Sequence, residues 1–308
     1  SGIEKITKKD FKGAIDDFTN AIALRDTFPE AYLNRASAKI GLELYSEAIT
    51  DINLSLNFSV QPNAHYMRAS CYHALGSKDK AIGDYSSAVK DDPQNAKAYY
   101  YRGVLHFEGG DLEAAIEDFT SALNVDKSYA HAYNDRGSAK RLNEDYEGAI
   151  ADYNLSIMVD NSLAFAHNNL GSAYRKNGDY KKAIQSYTKA LAMDSKNAMI
   201  YNNRGSARYD EGDYQGAADD FTRAIEVDPE YAFAYNNRAA AMFKLDKFQK
   251  CVDDCTTAIN IDPNYGYAYL NRGNAKEMLR DDKGACEDWR KSIELGAKGG
   301  EQHIGGCK

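Results

Sequence analysis

The chain has 308 residues, 43% apolar and 27% charged, with only five prolines and a formal net charge of −8. No apolar run nears the roughly 18 residues that a helical membrane span needs. No Lys/Arg cluster supplies the phosphate neutralisation that DNA or RNA demands, which leaves basic or neutral polypeptides as the favoured partners.

Self-similarity organises the rest. With Arg35 counted as position 7, residues 1–28 carry Gly2, Ala14, Phe18 and Ala21 at positions 8, 20, 24 and 27 of a unit whose first helix is half missing. The sequence there reads as a piece of a longer protein. Eight full units are expected at 29–61, 62–95, 96–129, 130–163, 164–197, 198–231, 232–265 and 266–297, followed by a glycine-rich tail at 298–308. Position 7 is Arg35, Arg68, Arg102, Arg136, Leu170, Arg204, Arg238 and Arg272, spaced by 33 residues once and by 34 thereafter.

Small residues recur where two helices must approach closely. Position 8 is Gly or Ala throughout, position 20 is Ala or Cys251, and position 27 is Ser or Ala. Large side chains at position 24, among them Phe119, Tyr153, Tyr187, Phe221 and Trp289, fill the gap between pairs. Gly76, Gly110, Gly178 and Gly212 fall mid-repeat, where one helix ends. Pro29, Pro62, Pro93, Pro229 and Pro263 mark junctions between units. Each unit is thus two helices of roughly 13 residues.

This pattern resembles the tetratricopeptide repeat over residues 1 to about 296, with Arg at position 7 where the common pattern has Leu. The resemblance implies an all-α, right-handed superhelix of helix-turn-helix repeats, with first helices lining a concave groove.

Position 23 is Asp51, Asp84, Asp118, Asp152, Ser186, Asp220, Asp254 and Asp288. It loses its carboxylate only where position 7 is Leu170. Positions 7 and 23 are equidistant from the turn at position 15, so they face each other in an antiparallel hairpin. Ion pairs are expected at Arg102–Asp118, Arg136–Asp152, Arg204–Asp220, Arg238–Asp254 and Arg272–Asp288, and likewise in the first two full units. The competing reading is a row of ligand-binding arginines.

Position 6 reads Asn34, Met67, Tyr101, Asp135, Asn169, Asn203, Asn237 and Asn271; position 5 adds Asn134, Asn168, Asn202 and Asn236. The four consecutive position-6 asparagines resemble the asparagine ladder of some tetratricopeptide superhelices, including that of the O-GlcNAc transferases. An amide both donates and accepts, so it can match an extended backbone whatever its sequence. Phe165, Met199, Phe233 and Tyr267 at position 2 offer apolar pockets beside the ladder, whereas Tyr66, Tyr100 and Tyr101 make the N-terminal groove aromatic. The bland alternative is that these asparagines bind only water or the next repeat. The Lys and Asn pattern of the chaperone-type carboxylate clamp is missing at positions 5 and 9.

Enzymatic signatures are missing as well. The six histidines have no metal-ligand spacing, and Cys251 and Cys255 stand at core positions. Cys286 and Cys307 leave two readings open, a disulfide pinning the tail in an oxidising compartment or a zinc site with His303. No catalytic residue, metal or cofactor is expected. The expected function is a scaffold that binds an extended peptide or partner segment in its groove. A self-assembling solenoid joined through exposed ends, or a recruiting arm of a larger protein, stands as the alternative.

Overall fold

The computed structural model describes residues 1–61 and 63–307; the junction residue Pro62 and Lys308 of the tail lie outside them. Among these residues there are 18 α-helices and no strand, so the chain is all-α. They group into two compact units, residues 1–145 and from Tyr146 onward.

Unit one runs α1 (Gly2–Thr7), α2 (Phe11–Leu24), α3 (Pro29–Gly41), α4 (Tyr45–Phe58), α5 (Ala64–Ala74), α6 (Lys78–Asp91), α7 (Ala96–Glu108), α8 (Leu112–Val125) and α9 (Ala130–Leu142). Unit two runs α10 (Tyr146–Val159), α11 (Ala164–Lys176), α12 (Tyr180–Met193), α13 (Ala198–Glu211), α14 (Tyr214–Val227), α15 (Ala232–Lys244), α16 (Phe248–Ile261), α17 (Gly266–Met278) and α18 (Asp282–Glu294). Two 3₁₀ turns, Gly300–Gln302 and Ile304–Gly306, follow. Odd-numbered helices are the first helices of repeats and even-numbered ones the second.

Local chemistry sets the boundaries. Asp10, Asp111, Asp179, Asp213 and Asp281 each cap a second helix by accepting the backbone N–H three residues on. Such a carboxylate satisfies one of the orphan donors that every helix start exposes. Between the helices of a pair the chain turns through the left-handed region at position 15. Gly76, Gly110, Gly178 and Gly212 do this without a Cβ, while Lys9, Glu43, Glu144, Asp246 and Arg280 adopt the same positive φ with a side chain.

Close approach explains the small residues. A Cβ on Gly205 would lie 2.7 Å from the Phe221 ring, and one on Gly171 2.8 Å from the Tyr187 ring. Gly273 meets Trp289 in the same way, at 2.7 Å. Where position 8 is alanine, position 24 shrinks in two of three cases: Ala36 goes with Ile52, and Ala239 with Cys255. Cys255 therefore packs as a short side chain beside a Cβ. It shares a buried cluster with Cys251, Ala239 and Ala275.

Candidate functional site

The arginines at position 7 are spoken for inside the fold. In Arg35, Arg68, Arg102, Arg204, Arg238 and Arg272, Nε and Nη2 donate to the two carboxylate oxygens of the position-23 aspartate, at 2.6–2.9 Å. The remaining Nη1 reaches back to position 25 of the preceding repeat, donating to Thr19, Asn53, Ser86, Thr188, Thr222 or Thr256 at 2.6–3.2 Å. A tyrosine at position 4 supports most of these guanidinium groups; in Arg204 and Arg238 the carbon sits 5.7 and 5.6 Å from the ring centre. Bonding to the carboxylate holds Arg238 above its ordinary pKa, with burial opposing. A guanidinium with all three nitrogens engaged has little left for a ligand. Arg136 donates to Thr120 at 3.1 Å within unit one. Its expected partner Asp152 belongs to unit two, and that pairing stays an expectation.

The repeat that lacks this device lacks all of it. Position 7 is Leu170, position 23 is Ser186, and position 4 is His167. Ser186 turns its hydroxyl onto its own helix, donating to the Lys182 carbonyl at 2.9 Å. His167 is buried, and its Nδ1 has no hydrogen-bond partner.

In unit two the asparagines divide into two roles that helical spacing alone does not separate. Position 6 donates back one repeat: Asn203 Nδ2 to Asn168 Oδ1 at 3.1 Å, Asn237 to Asn202 at 2.9 Å, and Asn271 to Asn236 at 2.9 Å. Asn202 and Asn236 are buried braces, and Asn168 is half-buried. Asn236 is committed further, since its Nδ2 donates to the Tyr265 hydroxyl at 3.1 Å. The Oδ1 atoms of Asn203, Asn237 and Asn271 accept no hydrogen bond among the described residues. Asn169 stands in the same register at the head of this row.

Around these amides lies a cavity of about 370 Å³, lined by Asn236, Asn237 and Asn271 with Tyr209, Tyr265 and Tyr267 over the Phe221 ring. One wall is the Arg175–Asp210 ion pair, whose Nε and Oδ2 are 2.6 Å apart. Burial lifts the Tyr265 hydroxyl to about 12, although its bond from Asn236 works the other way, so it stays protonated at any physiological pH. The position-2 residues Phe165, Met199, Phe233 and Tyr267 are exposed beside the row, and Phe233 also packs on the Tyr265 ring at 5.0 Å.

In unit one the aromatic residues behave differently. Tyr100 is locked, donating to Asp135 at 2.7 Å and packing on Phe119 and Tyr129. Burial first, and then the Asp135 charge, push its pKa well up. Tyr101 instead borders a concavity of about 320 Å³ with Tyr66, Tyr85 and His73.

Cys286 and Cys307 are joined as a disulfide, which uses both thiols that the zinc alternative would need. Among the described residues no group of three or more His, Cys, Asp or Glu could hold a metal ion. No helix of the described residues is long and apolar enough to cross a membrane.

A tetratricopeptide repeat family model matches residues 33–96, 74–128, 168–232 and 202–250, together more than half of the sequence. The chain belongs to the tetratricopeptide repeat family. Serine/threonine-protein phosphatase T of Trypanosoma brucei brucei is 38% identical over 88 residues, 28% of this chain and 18% of that protein. The DnaJ homolog subfamily C member 7 homolog of Dictyostelium discoideum is 32% identical over 103 residues, 31% of this chain and 19% of its own length. The chain thus spans about a fifth of the curated relatives it matches. In fold it is similar to a tetratricopeptide repeat protein from Parabacteroides merdae, with a TM-score of 0.63 at 20% identity over 78% of this chain and 96% of that one. The Cut9–Hcn1 complex of the APC/C gives a TM-score of 0.61 at 14% identity, over 95% of this chain and 58% of the other.

Proposed function

We propose that the chain is a protein-binding scaffold that takes an extended partner segment along the asparagine row of unit two. Tetratricopeptide repeat proteins commonly mediate protein–protein interaction, and the repeat itself is a non-catalytic scaffold. The observation that carries the finer reading is the brace. Asn203, Asn237 and Asn271 each spend one N–H on the preceding repeat, which fixes their orientation before any partner arrives. What these three then present is an unused Oδ1 and a second N–H, a complement to the N–H and C=O of an extended backbone. Pre-orientation lowers the ordering cost of binding. Successive first helices should stand about 10 Å apart, roughly three residues of extended chain.

A random 16-residue peptide library displayed on phage and selected on the chain tests this. Selected peptides should lose at least about tenfold in affinity when Asn203, Asn237 and Asn271 are all changed to Ala, at a net ~0.5–1.5 kcal/mol per hydrogen bond. Circular dichroism would confirm that the variant still folds. If no peptide enriches, or if the enriched peptides bind the variant equally well, the groove reading fails.

A further inference from the structure

The last repeat is closed by something other than a helix. In the repeats before it, the second helix buries positions 24, 27 and 28 under the first helix of the next unit. Tyr187, Ala190 and Leu191 lie beneath Ile200 and Ala207 of α13, and Ala258 and Ile259 beneath Ala268 of α17. The covering helices carry small or branched residues seven apart, at positions 3 and 10. On α18 the same three positions are Trp289, Ser292 and Ile293, and residues 297–307 cover them.

That cover is thinly attached. Gly300 sits so close that a Cβ there would come within 2.7 Å of Ser292 Oγ, and the His303 ring stacks on Trp289 at 4.8 Å. Beyond the Ala297 N–H bonded to the Ser292 carbonyl, no hydrogen bond joins the segment to α18 among the described residues. Gly299, Gly300, Gly305 and Gly306 leave it short of side chains, and Ile304 points outward. The firm tie is the Cys286–Cys307 disulfide, which reaches from α18 to the far end of the segment and is only half-buried at both residues.

We propose that residues 297–307 are a displaceable plug on a helix-docking face, latched by the Cys286–Cys307 disulfide. The opening reagent is a dithiol. Its thiolate attacks one sulfur, the protein S–S bond breaks, and two electrons and two protons end on the Cys286 and Cys307 thiols while the reagent closes to its own disulfide. The face then uncovered is shaped for an amphipathic helix with small residues seven apart, as first helices of this chain have. This proposal rests on α18 and the segment after it, and not on the asparagine groove.

Trp289 is the only tryptophan, so its emission reports the plug directly. Oxidised and dithiothreitol-reduced full chain, with the thiol state verified by alkylation and mass, are compared by fluorescence and by anisotropy of a labelled peptide of residues 228–247, which contains α15. Reduction should red-shift the emission and tighten peptide binding at least tenfold. Cys307→Ser without reductant should behave like the reduced chain. Unchanged emission after verified reduction, equal peptide affinity in both states, no peptide binding in either, or free Cys286 and Cys307 thiols in the oxidised preparation would each overturn the proposal.

Discussion

Arg204 holds Asp220 by two parallel hydrogen bonds, 2.9 and 2.7 Å, and with its third nitrogen holds Thr188 of the repeat before. The aspartate is almost fully buried and the arginine largely so, at 3% and 15% side-chain exposure. Arg208 Nη1 adds a second cation 3.2 Å from the same carboxylate. Removing one partner of a buried pair strands the other, at a cost of about 3–5 kcal/mol. Asp220→Ala should therefore destabilise unit two by about that much. Arg204→Ala should cost far less in the Asp220→Ala background than in the native one. Urea unfolding of the four proteins measures the coupling, and additive losses would refute a clasp.

His167 gives the clasp-less repeat an acid sensitivity. Burial, with the Lys189 ammonium adding to it, holds the imidazole below its ordinary 6.5. The unfolded chain then takes up a proton that the folded chain refuses. The stability at stake is complete above the unfolded pKa and is lost as pH falls below about 6.5. His167→Phe should narrow the Tm difference between pH 7.5 and 5.5 by about 2–4 °C for each kcal/mol involved. An unchanged difference would mean that the folded state accommodates the imidazolium.

Position 15 offers a gain in stability. Asp246 and Arg280 adopt φ of 56° and 66°, where Gly76, Gly110, Gly178 and Gly212 stand in other repeats. The left-handed conformation costs a side-chain-bearing residue about 1–2 kcal/mol, partly offset by the greater freedom glycine has when unfolded. Asp246→Gly and Arg280→Gly should each stabilise by about 0.5–1 kcal/mol, and Gly212→Ala should destabilise. Thermal melts of the three variants decide it.

Position 8 is a matched contact, not merely a small one. Gly205→Ala forces a Cβ against the Phe221 ring and should cost about 1–3 kcal/mol by overpacking. Pairing it with Phe221→Ile, which copies Ala36 and Ile52, should recover part of that loss, so the double variant would be less damaged than the sum of the singles.

The helix-turn-helix pattern, the hairpin pairs of Arg35, Arg68, Arg102, Arg204, Arg238 and Arg272, and the small residues were legible in the sequence because each depends on spacing inside one repeat. Positions 7 and 23 flank a turn symmetrically, and no knowledge of neighbouring units is needed to oppose them. The latch to position 25 and the brace between positions 6 and 5 join different units. Their reach depends on how neighbouring pairs tilt, which one helical wheel does not encode. A signal for the latch was nevertheless present: Thr19, Asn53, Ser86, Thr120, Asn154, Thr188, Thr222 and Thr256 all carry a side-chain oxygen at position 25. The same limit hid the bracing role of Asn202 and Asn236, which burial makes supports for their neighbours while Asn236 still lines the cavity.

Outside its own repeat, each of Arg35, Arg68, Arg102, Arg204, Arg238 and Arg272 reaches back through Nη1, so these repeats lean on the one preceding them. At Leu170 no side chain reaches back in this way toward Asn154, which instead turns its amide to the Ile150 carbonyl on its own helix at 2.8 Å. In a linear assembly held by nearest neighbours, the weakest joint is where the array parts first. The α10–α11 step is then the natural place for unit two to fray under heat or tension, and amide exchange should be faster there than between α13 and α14.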